Sequence, residues 1–282
     1  MHPDWLVPDW PAPANVKSVF TTRAGGASRP PWDSLNLGDH VGDVPQQVTA
    51  NRLSLSKALG LLVANRPVFL KQVHGTVVAQ LSAATPDGAV ADASCTTQRG
   101  LACTVMVADC LPVLFTTAGG TAVAAAHAGW RGLVGANASG DVSEHGVLET
   151  TINQLKALNQ PMTSLISAES ALEVIAWLGP CIGPTAFEVG ADVVAAFEQR
   201  QLVSQKYFTP TGSGKFLADL AGLARARLGA LGVTQIYGND STAAWCTVGN
   251  PSRFFSHRRD ASGNRASALH TTGRMAACIW LS

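Results

Sequence analysis

Apolar residues follow two patterns along this chain. Short runs with little alternation recur at Val16 to Thr22, Pro67 to Leu70, Leu101 to Val107, Val113 to Thr116, Thr121 to Ala126, Val174 to Leu178 and Met275 to Leu281. Each is bounded by Gly, Pro or a polar turn, which predicts buried strands. Gln235 to Tyr237 and Arg253 to Ser256 predict shorter ones. Elsewhere apolar residues recur near helical spacing. Pro45 to Leu62 carries Val48, Leu53, Leu55, Leu59 and Leu62, and Pro45 fits a first helical turn. Gly146 to Leu158, Asp192 to Gln199 and Leu217 to Leu231 predict further helices. Arg23 to Gly26 reads as a turn and Pro30 to Gly38 as a loop. Strands and helices mix without strict βαβ alternation. That predicts an α/β fold of mixed sheets with helices outside, not a regular Rossmann sheet. No glycine fingerprint for dinucleotides or for a phosphate loop is present.

Composition narrows the classes. A chain of 282 residues can build one large or two small cores. A net charge of +1 gives no field to draw in nucleic acid or an anionic membrane. No apolar run approaches the roughly 18 residues of a membrane helix, and the first residues lack the basic-then-apolar plan of a secretory signal. The expectation is a cytoplasmic protein without nucleic-acid or membrane partners. The six cysteines form no Cys-x-x-Cys and are expected to be reduced, most of them small buried hydrophobes.

Three strand ends carry residues with metal chemistry: His74 in Lys-Gln-Val-His-Gly, Cys110 in Ala-Asp-Cys-Leu-Pro, and His127 in His-Ala-Gly-Trp-Arg-Gly. Two imidazoles and a thiolate suit a catalytic zinc with one position left for a reactant. Their long spacings are not diagnostic, and unrelated core and loop roles fit them as well. What favours convergence is that each lies at a strand end beside Gly or Pro. Asp109 is a candidate base or orienter of a ligand imidazole, brought near Cys110 if the chain turns at Pro112. The alternative is a turn cap. After His127 a helix start would offer free backbone N–H groups to an anion. Arg131 beside it has a donor fork for phosphate or carboxylate, unless it is a surface residue next to a core Trp130. Arg23 and Arg258 are further candidate anion contacts, or a plain turn and a solvated strand end. Glu188 is a candidate substrate contact or a helix-start charge.

In combination these motifs resemble a family. Thr-Thr-Arg23-Ala-Gly-Gly, Gln72-Val-His74-Gly, Ala-Asp109-Cys110-Leu-Pro, His127-Ala-Gly-Trp-Arg131-Gly, Gly-Pro-Cys-Ile-Gly-Pro and Thr-Gly-Arg274-Met occur in order over nearly the whole chain. They are similar to the YfiH family, also called polyphenol oxidase (multicopper laccase-like) and peptidoglycan editing factor. It includes bacterial purine nucleoside phosphorylases related to the human laccase-domain protein. The resemblance implies one domain over residues 1–282, with two mixed β-sheets packed between helical layers. It implies zinc held by His74, Cys110 and His127. It also implies phosphorolysis of adenosine, inosine and methylthioadenosine, with deamination of adenosine. Purine nucleosides and phosphate would be the small-molecule partners, and a monomer is the default expectation. The chain departs from the pattern by extra residues between Gly132 and Val147, at Pro161 to Glu173 and at Asp260 to Thr272. It also has Phe187 and His257 where the family often has Tyr.

The residue inventory separates the implied activities. A multicopper oxidase needs about ten histidines, many in His-x-His pairs. This chain has seven and no such pair. Oxidase activity would therefore fall to a single Cu2+ taking the place of Zn2+. The His-x-Glu and Pro-Cys-x-x-Cys signature of cytidine-type deaminases is absent, so deamination would need a different solution. A Cys110 nucleophile with His127 as base, acting as a hydrolase or amidase on cell-wall precursors, is the competing enzymatic reading. A closed structural zinc would need a fourth protein ligand, and none is evident.

Overall fold

Strands buried on both faces explain why the apolar runs barely alternate. In chain order the elements are β1 (Val16–Phe20), α1 (Pro45–Ala58), β2 (Arg66–Phe69), β3 (Val78–Gln80), β4 (Ala93–Thr96), β5 (Leu101–Val107), β6 (Leu111–Thr117), β7 (Val123–Ala128), α2 (Trp130–Val134), α3 (Val147–Leu158), β8 (Val174–Leu178), β9 (Glu188–Gly190), α4 (Ala191–Gln199), β10 (Phe208–Gly212), β11 (Lys215–Ala218), α5 (Leu220–Ala230), β12 (Gln235–Gly238), α6 (His257–Asp260) and β13 (Met275–Leu281). The computed structural model describes residues 1–61, 66–136, 143–159, 173–200, 205–261 and 270–282.

Two mixed sheets dominate. One has the order β1-β13-β5-β2, with β2 parallel to β5 and the other pairs antiparallel. The other has the order β12-β8-β6-β7-β4-β3, parallel only at its two edges. Side chains alternate between two burial environments. From β5, Cys103, Val105 and Val107 face a core shared with Leu114, Val123, Ala125 and Trp177 of the second sheet. Ala102 and Met106 face the opposite way, onto Leu55 and Leu59 at α1. In the second sheet Leu111, Val113 and Phe115 turn outward onto α3, α4 and α5 through Leu148, Ile152, Phe197 and Leu223. The layers are thus helix, sheet, sheet, helix, as expected. A third, antiparallel sheet of β10-β11-β9 is added. Among the described residues no helix is long and apolar enough to cross a membrane.

Three local expectations change. The helix read from Leu217 begins only at Leu220, because Leu217 belongs to β11 and the Asp219 carboxylate caps α5 by accepting the Gly222 N–H at 2.8 Å. Arg253 to Ser256 is no strand. The N–H groups of Arg253 and Phe254 both turn back to the Asn250 carbonyl, and Ser256 caps α6. The first helix ends at Ala58, and its Leu53 faces solvent. Leu62 and most of the three extra lengths lie outside the described residues.

Candidate metal centre

The chain crosses from the first large sheet to the second twice at the same end. β2 and β5 are parallel neighbours, with Phe69 at the end of β2 opposite Thr104 and β5 running on to Val107. Residues 70–77 then lead from β2 to β3, and residues 108–110 from β5 to β6. His74 lies in the first crossing and Cys110 in the second. β7 ends beside the second crossing, with Ala128 opposite Leu111. Its His127 shares a strand face with Val123 and Ala125, which pack between the sheets. The topology therefore gathers all three side chains at one rim.

Both crossings turn at non-glycine residues in the left-handed region, His74 with φ 62° and Asp109 with φ 92°. Such positions cost on the order of 1–3 kcal/mol each and persist where surrounding contacts impose them. The sharp turn expected at Pro112 is made at Asp109 instead, and Pro112 sits within β6 opposite His127.

The ligand atoms of His74, Cys110 and His127 lie within 4.8 Å of one another. Cys110 Sγ is 3.7 Å from His74 Nε2. The imidazole centroids are 4.8 Å apart at 73°. Zinc bonds of about 2.3 Å to sulfur and about 2.0 Å to nitrogen, at tetrahedral angles, set sulfur and nitrogen about 3.6 Å apart. The donor set thus fits a zinc ion. Among the described residues no fourth His, Cys, Asp or Glu joins the group, so one position would remain for a reactant. Gly129 borders the trio. A Cβ there would fall 3.0 Å from Cys110 Sγ and 3.1 Å from His74 Cδ2, so the packing calls for glycine.

Asp92, fully buried just before β4, organises the centre. Its Oδ1 accepts from His127 Nδ1 at 2.9 Å and from the His74 N–H at 2.8 Å. Its Oδ2 accepts from the N–H groups of Gly75 at 2.7 Å and Val73 at 3.2 Å. With Nδ1 held by Asp92, His127 offers Nε2 to the trio. Burial opposes ionisation of Asp92, but His127 and these N–H groups hold its carboxyl below the usual range. Burial likewise works against the Cys110 thiolate, yet attraction and hydrogen bonds from His127 and His74 bring the thiol down to about 6. His127, disfavoured as a cation by burial, is raised to about 9 by Cys110 and Asp92.

A cavity of about 380 Å³ opens onto the trio. Arg131, Arg258, Asp109, Trp130 and Phe187 line it, together with His40, Gln72, His257 and Arg274. Asp109 makes no hydrogen bond to His74 or His127. Thr247 Oγ1 donates to its Oδ1 at 2.5 Å and the Arg258 N–H to its Oδ2 at 2.7 Å, so the orienting role expected of it falls to Asp92. Arg131 is exposed and lies over the Trp130 ring at 4.4 Å. The helix after Gly129 is only five residues long, too short for a substantial dipole toward an anion. Arg258 donates to the carbonyls of Ala186 at 3.3 Å and Glu188 at 3.0 Å. The Glu188 side chain is exposed on β9 outside the cavity lining, so only its carbonyl acts here. Arg23 stands apart. It pairs with Asp33 at 3.2 Å, donates to the Asp33 and Pro251 carbonyls, and lines a separate hollow with Ser34 and Ser252. Sequence reasoning assigned no role to Asp92, His40, Gln72, His257 or Arg274. The Gln72 signal was local, in the His74 motif. Its amide brackets Met106, donating to the carbonyl at 2.8 Å and accepting the N–H at 2.7 Å, and so ties the His74 crossing to β5.

Known proteins share this chain almost end to end. It is 45% identical over 276 residues to "Purine nucleoside phosphorylase YfiH" of Escherichia coli, covering 98% of each. It is 44% identical over 279 residues to "Purine nucleoside phosphorylase PA4543" of Pseudomonas aeruginosa, again covering 98% of each. The crystal structure of Neisseria meningitidis protein NMB0706 matches with TM-score 0.77 at 44% identity, over 99% of both chains. That of the Bacillus licheniformis hypothetical protein YfiH matches with TM-score 0.77 at 27% identity, over 95% of this chain and 93% of that one. Residues 17–282 match the family described as multi-copper polyphenol oxidoreductase laccase, and the chain belongs to that family, the YfiH family.

Proposed function

We propose that this chain is a zinc-dependent purine nucleoside phosphorylase that also deaminates adenosine. The observation that carries the reading is a three-donor centre with one open position, facing a cavity in which arginines outnumber carboxylates. The names of its relatives point to the same substrates. His74, Cys110 and His127 would hold the ion, with Asp92 fixing the imidazole of His127 and the backbone of His74. When bound, zinc supplies Lewis acidity toward an electron-rich atom of the substrate.

The protein's own groups do the rest. Trp130 and Phe187 give apolar walls suited to a purine ring. Arg131 and Arg258 place positive charge where phosphate must approach the ribose. A phosphate oxygen bonds to C1′ as the bond to the purine breaks. The electron pair leaves with the base, which takes up the proton that hydrogen phosphate gives up on forming the sugar phosphate. Asp109, with both oxygens held by donors, ties Thr247 and the start of α6 to the Cys110 crossing.

A set of copper ions has no support in the residues. Seven histidines without a His-x-His pair cannot ligate several coppers, and one donor trio is present among the described residues. A single copper at that trio, with oxidase activity, is a chemical alternative because copper binds such ligands more tightly than zinc. A second reading rests on Cys110 itself. A thiolate 3.7 Å from His74 Nε2 resembles an activated nucleophile, which would act without metal.

Metal analysis of the purified protein, paired with nucleoside turnover with and without phosphate, tests these readings. Free base released only with phosphate, and lost on chelation, is the expected result. Ammonia release from adenosine would report the deaminase. Base release without phosphate, or full activity after metal removal, would reject the assignment.

A further inference from the structure

The cavity beside the candidate metal centre holds a cation with no ion-pair partner among the described residues. Arg274 precedes β13 and is half-buried. Its Nη1 donates to the carbonyls of Thr272 at 3.0 Å and Gly273 at 3.2 Å. Its Nε and Nη2 make no hydrogen bond to a described residue, and no described carboxylate lies within ion-pair distance of it. The other arginines of the cavity are differently engaged, Arg258 on two carbonyls and Arg131 on the Trp130 ring. A guanidinium stays charged even when burial works against it, and charge kept from both water and a counter-ion is costly.

The fold fixes this side chain firmly. Asn36 Oδ1 accepts the N–H groups of both Arg274 and Gly38, each at 2.9 Å. Asn36 is itself fully buried and donates to Asp43 at 2.9 Å. A Cβ on Gly38 would fall 2.7 Å from Arg274 Cγ, so the stem lies in a slot that excludes even a methyl group. The charged end faces the cavity, near enough to Cys110 and Asp109 for their negative charge to offset part of the burial cost.

We propose that Arg274 anchors an oxyanion subsite in the metal-centre cavity and that its ligand is inorganic phosphate, a proposal that rests on the phosphorylase reading. The guanidinium fork presents two parallel donors to two oxygens of a tetrahedral anion. The residues 36–43 network thereby becomes a positioning device for phosphate, and Arg23 is excluded from that role by its separate hollow.

The test uses the full-length, zinc-loaded chain. Arg274→Gln is expected to raise the phosphate KM at least about tenfold, the scale of a lost charge-assisted hydrogen bond, while the inosine KM stays within about twofold. Arg274→Lys should recover part of the loss, and Gly38→Ala should raise the phosphate KM with the arginine still present. An unchanged phosphate KM in Arg274→Gln, with phosphate-dependent turnover intact, overturns the subsite and leaves the phosphorylase reading standing. Calorimetric titration of wild type and variant with inorganic phosphate alone supplies a readout independent of turnover. Binding by wild type that weakens in Arg274→Gln supports the anion site even if nucleosides are not cleaved. Equal binding by both, or no binding by wild type, overturns it. Should Arg274→Gln fail to fold by circular dichroism, Gly38→Ala carries the same decision.

Discussion

Cys110 and Cys278 are the same residue in opposite surroundings. Cys278 lies inside β13, fully buried, with the Thr104 hydroxyl 3.6 Å away as its hydrogen-bond donor. Burial pushes its thiol up to about 12. Cys95, on β4, is also raised to about 12 by burial. Cys110 lies in a crossing between sheets, facing His74 and His127, and is brought down to about 6. The difference is not burial, which disfavours the thiolate in every case. It is the supply of imidazoles, one of them backed by a buried carboxylate. The apolar strands make inert thiols, and the connection between them makes an ionisable one fit to be a ligand.

The largest break in this contrast is Cys110→Ala. It is expected to abolish stoichiometric metal and phosphorolysis together, while Cys278→Ala keeps both and loses on the order of 1 kcal/mol of stability from a small core void. Metal analysis and denaturant midpoints check the pair. Retained metal in Cys110→Ala would sink the donor assignment.

Next in size is the ionisation itself. In metal-free protein the ultraviolet absorption of thiolate should rise with a midpoint near 6, a step that Cys110→Ala removes. The signs for stability follow. Cys110, lowered from 9.0 to about 6, contributes fully above 9.0, and its contribution is lost as pH falls through about 6. His127, raised from 6.5 to about 9, contributes fully below 6.5, and its contribution is lost as pH rises through about 9. The pair therefore stabilises the metal-free protein most between about 6 and about 9, and a flat stability profile across that range and below it would contradict the coupling.

A smaller effect is expected from Asp92→Asn. The amide removes the negative charge behind His127 but preserves the shape of the side chain. Metal affinity should fall about 10–100-fold, the usual scale for losing an outer partner of a ligand imidazole. Competition with a chromophoric chelator measures it, and unaltered affinity would remove Asp92 from the centre.

Much of the site could be read from the chain because its donors punctuate strands. His74, Cys110 and His127 follow or end apolar runs and sit beside Gly or Pro, a local signature. Asp92 left none. Its role consists of bonds to residues 73–75 and to His127, made by tertiary packing. Arg274 was visible only as part of a motif, since its work depends on the slot beside Gly38. Arg23 shows the converse. Its turn was legible, but the fold turned its guanidinium to Asp33 and Pro251. Among the elements, Phe254 and Phe255 read as strand residues because both are fully buried. The chain entering them is bent by the Asn250 carbonyl, which accepts the N–H groups of Arg253 and Phe254, a contact that hydrophobicity does not record.

The two crossings between sheets have a consequence for how the protein matures. Neither sheet alone possesses a pocket for the ion, because one donor closes a β-strand and the others ride on links that exist only once the layers have stacked. On the proposed zinc reading, uptake of the ion would be deferred until assembly is complete, and a loaded centre would certify that the halves have come together in register.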